Sequence, residues 1–170
     1  MEKRSGSESN QSRNRTTVER RSDRELVTTR TFDAPARIVF KAWSTAELFR
    51  QWWVPKSMGM TLGSCEMDVR VGGKYRLVFE NPAMAFFGTY VEVIPDSRIA
   101  WTNEESGPDG PVTTVTFEEQ GDRTLVALHE LYPTKEALDA AGTGAADVLG
   151  ETFTQLDELL PGLGAGAARS

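Results

Sequence analysis

The sequence predicts an α+β domain: a curved antiparallel sheet wrapped around one long C-terminal helix, with two short helices after the first strand. Three observations predict it. From Thr61 to Tyr132, short runs alternate apolar and polar residues and are broken by Gly, Pro and Asp turns, the signature of successive antiparallel strands. Ahead of them, Ile38, Val39, Ala42 and Trp43, then Leu48, Phe49 and Trp52, recur at helical spacing in two short stretches. Behind them, Leu149, Phe153, Leu156 and Leu160 make one apolar stripe along a helix of several turns. A one-faced sheet and a one-striped helix bury each other.

The elements follow in order. Glu25 to Phe32 (ELVTTRTF) alternates and is rich in β-branched residues, so it reads as the first strand. Asp33 is the expected N-cap of the first short helix, with Pro35 in its first turn. Ser44-Thr45-Ala46-Glu47 reads as a capping box that restarts a second helix. After Pro55 and a loop comes an extended run from Thr61, then Gly72-Gly73, then Lys74 to Glu80. A three-residue loop, Gly72 to Lys74, would pair Val71 with Tyr75, Val69 with Leu77 and Met67 with Phe79, placing apolar side chains together on one face. Asn81-Pro82 ends that strand and Phe86 to Ile94 is the next, with Gly88 marking a bulge or a close backbone approach. Arg98 to Thr102, Val112 to Glu118 and Thr124 to Tyr132 complete the sheet. The last helix is expected to run from Ala145 to Pro161-Gly162, which stops it.

Composition bounds the reading. The chain of 170 residues is long enough for one domain with a sizeable core, and its 39% hydrophobic and 26% charged content is that of a globular protein. No apolar run approaches the roughly 20 residues of a membrane span. The single cysteine, Cys65, precludes an intramolecular disulfide and points to a reducing, cytoplasmic setting. The net charge of -6 is uneven: the first 24 residues carry seven basic against four acidic side chains, so the rest is more acidic still. Nucleic acid is therefore not expected as a partner. Met1 to Arg24 reads as a disordered basic tail, residues 25–160 as the folded domain and 161–170 as a flexible tail.

The runs RTFDAPARIVFKAW, LFRQWW-x-P and CEMDVRVGGKYRLVF resemble the bacterial relatives of the activator of the heat-shock-90 ATPase, within the START-related SRPBCC superfamily. The resemblance spans about Glu25 to Leu160. It implies a helix-grip (START/Bet v-like) fold, whose sheet and last helix commonly enclose a cavity for hydrophobic molecules. The eukaryotic activators carry a further domain before this one, needed for full stimulation. The short polar stretch that precedes it here makes a chaperone partner doubtful.

The candidate ligand-binding residues are Trp52, Met67, Tyr75, Phe79, Phe87 and Trp101, with His129, Phe153 and Leu156, expected to converge between sheet and last helix. Trp53 is the alternative to Trp52 at the mouth. His129, the only histidine, alternates with Leu125 and Ala127 and is expected to face inward, where it could exchange a proton with a ligand. No catalytic residue is assigned: no nucleophile elbow, phosphate loop or metal-ligand spacing is present, so neither metal nor cofactor is expected. Glu104-Glu105 and Glu118-Glu119 read as solvated loop charges. The expected partner is a small hydrophobic ligand; a homodimer is left open. Three functions follow: a binder or carrier of a hydrophobic molecule, a co-chaperone of the heat-shock-90 type, or a cyclase or hydrolase of polyketide-like substrates.

Overall fold

The computed structural model of the protein describes residues 16–81, 83–104, 107, 110–141 and 144–169. Eight strands among them form one antiparallel sheet: β1 (Thr17–Arg20), β2 (Glu25–Phe32), β3 (Thr61–Met67), β4 (Lys74–Asn81), β5 (Ala83–Ile94), β6 (Arg98–Thr102), β7 (Val112–Gln120) and β8 (Arg123–Leu131). Their spatial order is β1-β2-β8-β7-β6-β5-β4-β3. Six consecutive strands are thus joined by hairpins, and one crossing, from β2 to β3, spans the sheet. Helices α1 (Ala36–Ser44) and α2 (Ala46–Trp52) make that crossing. A short helix, α3 (Lys135–Ala141), follows β8, and α4 (Gly144–Arg169) closes the chain.

The apolar stripe explains α4's position. Phe153 and Leu156 are fully buried, and Leu160 nearly so. Phe153 packs edge-on against Phe32 of β2 and Trp43 of α1, with ring centroids 5.6 and 6.1 Å away. The helix does not stop at Pro161, which lies inside it. Proline's fixed φ suits a helix, and its cost is one lost hydrogen bond and local crowding. Leu160 and Leu163 carry the buried stripe across that position, which accounts for the continuation. Beneath the helix, Arg30 is buried on β2 and reaches Asp157 at 2.8 Å, with Thr154 and Thr16 as further acceptors.

Disorder was expected through Arg24, but Thr17–Arg20 form β1, paired with Leu26 to Thr29 of β2. This strand is exposed along its length, so its alternation is too weak to betray it. Its anchors are specific: Thr16 accepts from Arg30, and Arg20 meets Asp139 of α3 at 2.8 Å. The rest of the expected tail, residues 1–15, lies outside the described residues.

Local details differ in instructive ways. The N-cap of α1 is Pro35, not Asp33; the free N–H of Ala36 is met by the Glu119 carboxylate from β7 at 2.9 Å. Glu119 lies near the end of β7, exposed as expected, and its carboxylate also caps the helix from the sheet. Asp33 instead faces Arg123 at 3.8 Å. Helix α2 does restart at Thr45, without a side-chain cap bond. The β3–β4 register is Met67↔Tyr75, Cys65↔Leu77 and Leu62↔Phe79, so the loop runs from Asp68 to Gly73 and Val71 is exposed. Gly72 and Gly73 are not a two-strand turn. Gly72 N–H donates to Tyr90 O and Tyr90 N–H to Gly73 O, both at 2.8 Å, so the glycines extend β4's pairing with β5. A Cβ on Gly73 would lie 2.0 Å from the Asp68 carbonyl oxygen, which is why the loop can fold back there.

Strand β5 is longer than expected, starting at Ala83. Gly88 makes the close approach anticipated for it: a Cβ there would sit 1.8 Å from the Thr102 carbonyl oxygen.

Candidate functional site

Where α1 and α2 meet the far half of the sheet, the packing is incomplete. Strand parity aims Tyr75, Leu77 and Phe79 of β4 inward, and the register sets Phe86 beside Leu77 and Gly88 beside Tyr75. Because Gly88 has no side chain, the Tyr75 ring lies across it. Tyr90 and Trp101 form the next inward pair, on β5 and β6. Trp43 of α1, Phe49 of α2 and Trp53 just beyond α2 face these rings. Together with Met67 and Asn103 they line a partly open chamber of about 210 Å³.

The chamber's walls are rings, and its polar atoms are few. The Tyr75 hydroxyl is 2.9 Å from Thr102 O and 3.3 Å from Asn103 Oδ1. Asn103 Nδ2 in turn donates to Pro111 O and Thr113 Oγ1, both at 2.9 Å, which fixes the amide's orientation. Burial pushes the Tyr90 phenol well above its ordinary range, with Cys65 and Asp68 adding to the shift. The indole N–H of Trp43 is buried and has no hydrogen-bond partner. By contrast, Trp52 Nε1 donates to Ala42 O at 3.0 Å.

A second, larger space of about 410 Å³ lies outside the first and shares two of its walls, Trp53 and Phe86. Its floor is Phe79 and Leu149; its rim is the exposed Met58, Met84 and Val148. Thr152 has the only hydroxyl among its lining residues, and that group already donates to Trp53 O at 3.2 Å.

Helix α4 holds the chain segment that carries Trp53. Gln155, 8% exposed, donates from Nε2 to Trp52 O and Val54 O, both at 2.9 Å, and accepts from Lys56 N–H at 2.8 Å. Glu151 accepts from Ser57 N–H at 3.0 Å and from the Ser57 hydroxyl, which holds its carboxyl below the usual range. Helix α2 ends with carbonyls that lack helical donors. The amide of Gln155 supplies one of them, at Trp52.

The sequence-predicted residues separate into three groups. Met67, Tyr75 and Trp101 line the chamber, and Phe79 lines the outer groove. Trp52, Phe153 and Leu156 are packed core, fully buried away from both spaces. Phe87 and His129 lie on the opposite face of the sheet. Phe87 opposes Arg76 and is 37% exposed, because the register of β5 with β4 turns Phe86 inward instead. His129 does alternate with Leu125 and Ala127, but the core-facing set of β8 is Thr124, Val126 and Leu128. The His129 Nε2 lies 2.9 Å from Glu25 Oε2, an outer-face pair. The chamber is also walled by α1 and α2, where the sequence pointed to the last helix. Trp43, Phe49, Phe86 and Asn103 were not singled out; the helical spacing that includes Trp43 and Phe49 was the one available signal.

An antiparallel sheet gripping a long C-terminal helix, closed at one end by paired short helices over an apolar chamber, defines a START-related helix-grip protein of the SRPBCC superfamily. Residues 33–161 match the family described as Activator of Hsp90 ATPase homolog 1-like protein, and the chain belongs to that family. A crystal structure of a Rhodobacter sphaeroides protein superposes with a TM-score of 0.78 at 22% identity, covering 87% of this chain and 99% of that one. A Nitrosomonas europaea protein gives 0.73 at 23% identity over 82% and 96% of the two chains. A Mycobacterium smegmatis protein gives 0.72 at 20% identity over 86% and 98%. At these identities the likeness is one of fold. No curated protein sequence matches the chain. Among the described residues no helix is long and apolar enough to cross a membrane, and no group of three metal-ligating side chains converges.

Proposed function

We propose that the protein reversibly binds a small hydrophobic or amphipathic molecule in the inner chamber, without turning it over. One observation carries this reading: a chamber of about 210 Å³ lined almost wholly by rings, Trp43, Phe49, Trp53, Tyr75, Phe86, Tyr90 and Trp101 among them. An apolar cavity of about 150 Å³ is enough to take up benzene, so one substituted ring fits by volume. The ligand is therefore apolar in body, and an acceptor on its ring would meet the Tyr90 hydroxyl in the chamber wall.

Binding without turnover rests on what the chamber's polar groups can do. Tyr75 and Asn103 are committed to each other and to backbone carbonyls. The Tyr90 phenol is held protonated at neutral pH by its burial. His129, the side chain best suited to proton exchange near pH 7, is on the other face of the sheet. The cyclase or hydrolase reading loses its acid or base for want of these groups. The activity in the family's name, activation of the Hsp90 ATPase, is a contact between protein surfaces and gives the ring-lined chamber no role.

Native mass spectrometry of freshly purified protein tests the proposal by looking for a co-purifying small molecule. Titration with 4-methylacetophenone, followed by tryptophan fluorescence, tests it directly. Tyr90→Phe should weaken that ligand roughly fivefold to tenfold, the worth of one hydrogen bond, while 4-ethyltoluene, which has no acceptor, changes much less. Equal weakening of both ligands would remove the donor from the argument, and absence of any binding would remove the function.

A further inference from the structure

The outer groove and the inner chamber differ in chemistry and share two side chains in their walls. Trp53 and Phe86 line both spaces. Trp53 is firmly held, stacked on Phe49 at 4.8 Å and edge-on to Trp43 at 5.7 Å. Phe86 is half-buried and makes a single ring contact, with Phe79 at 5.6 Å. The chamber side of this partition offers the hydroxyl of Tyr90, beside the Tyr75 hydroxyl that donates to Thr102 O. The groove side has only apolar surface, since its hydroxyl, on Thr152, is already spent on Trp53 O.

We propose that the two spaces hold one ligand, making it a single-chain amphiphile: an acceptor-bearing ring in the chamber and an unbranched apolar chain in the groove. The inference rests on the chamber-binding reading above and specifies the ligand class. A chamber of about 210 Å³ has room for a ring and little else, so any further apolar length must leave it. Phe86 lines both spaces, so displacing its ring would open an apolar route into the groove of about 410 Å³. There, exposed Met58, Met84 and Val148 would be covered by the chain. Methionine suits this duty, because its flexible thioether conforms to chains of different shape. Phe86 is the movable half of the partition, and the chain takes the place of its rotated ring.

Affinity for a series of 4-n-alkylacetophenones, from methyl to octyl, tests the proposal on the unaltered protein. Each added methylene should tighten binding roughly threefold to fourfold until the groove is full. Met84→Glu and Val148→Glu, both at the exposed rim, should cut that gain per methylene at least by half in protein with an unchanged unfolding midpoint. If the methyl compound binds but octyl binds no tighter, the groove is not a chain subsite, and the proposal fails while the chamber reading stands. A full chain-length gain retained by both glutamate variants also overturns it, placing the chain elsewhere. Failure of every member to bind, the methyl compound included, removes the chamber reading and this proposal together.

Discussion

Gln155→Leu sets two physical accounts of the last helix against each other. The residue lies beside the stripe of Phe153 and Leu156 and is itself 8% exposed. If burial of apolar surface were all that held α4, leucine would extend the stripe and stabilise the fold. The hydrogen bonds say otherwise. Leucine would leave Trp52 O, Val54 O and Lys56 N–H without their partner at 2.8–2.9 Å. The bond to Trp52 O is buried, whereas those to Val54 and Lys56 are partly buried and can recruit water. One full penalty of about 1–3 kcal/mol and two reduced ones, offset by some apolar gain, give a net loss of about 2–4 kcal/mol. For a chain of this length that is a fall in Tm of roughly 5–15 °C. Urea unfolding followed by tryptophan fluorescence measures the loss, and calorimetry the midpoint. Because the same amide fixes the segment bearing Trp53, binding of 4-methylacetophenone should weaken in the folded variant as well. A variant as stable as the parent, or more so, would refute the clamp and leave α4 held by its stripe alone.

Three further outcomes are expected. Glu119→Ala removes the cap of α1 and should cost about 0.5–2 kcal/mol in urea unfolding; a cost under about 0.3 kcal/mol means water serves Ala36 N–H equally well. Gly88→Ala forces a Cβ to within 1.8 Å of a backbone oxygen and so should cost at least the ~1–3 kcal/mol of ordinary overpacking; a wild-type midpoint would show that β5 and β6 can separate there freely. Burial raises the Glu130 carboxyl on β8, and one of its oxygens has no partner. A raised folded-state pKa favours the fold below the unfolded value and works against it as pH rises through the folded one. Glu130→Gln should therefore stabilise at pH 7 relative to the parent, with the difference shrinking as pH falls toward 4.5; a difference independent of pH would sever it from ionisation.

What could be read from the sequence, and what could not, divides by the range of the interaction. Alternation and turn residues located β2 and β6 to the residue and gave the stripe of α4, because each depends on neighbours along the chain. Facing direction depends on a partner strand. Phe86 and Phe87 are adjacent, and only the pairing of Phe86 with Leu77 decides which ring enters the chamber. Likewise both faces of β8 carry apolar residues, so alternation alone could not put Leu125, Ala127 and His129 outside. Gly72-Gly73 has the composition of a hairpin turn, yet its N–H and C=O serve Tyr90, seventeen or more residues on. Gln155 looks like a flaw in the stripe until the carbonyls beyond α2 are set opposite it. The chamber's position follows from the same division. A stripe as regular as that of α4 fills its side of the sheet, so Phe153 and Leu156 are core. Helices α1 and α2 bring Trp43, Phe49 and Trp53 against Tyr75, Tyr90 and Trp101, large rings whose tilted and edge-on contacts, centroids 5.7 to 6.5 Å apart, leave space between them. A void of that kind arises where rings meet rings, and a search for it in sequence should start from aromatic density on short helices facing aromatic strands, not from the best amphipathic helix.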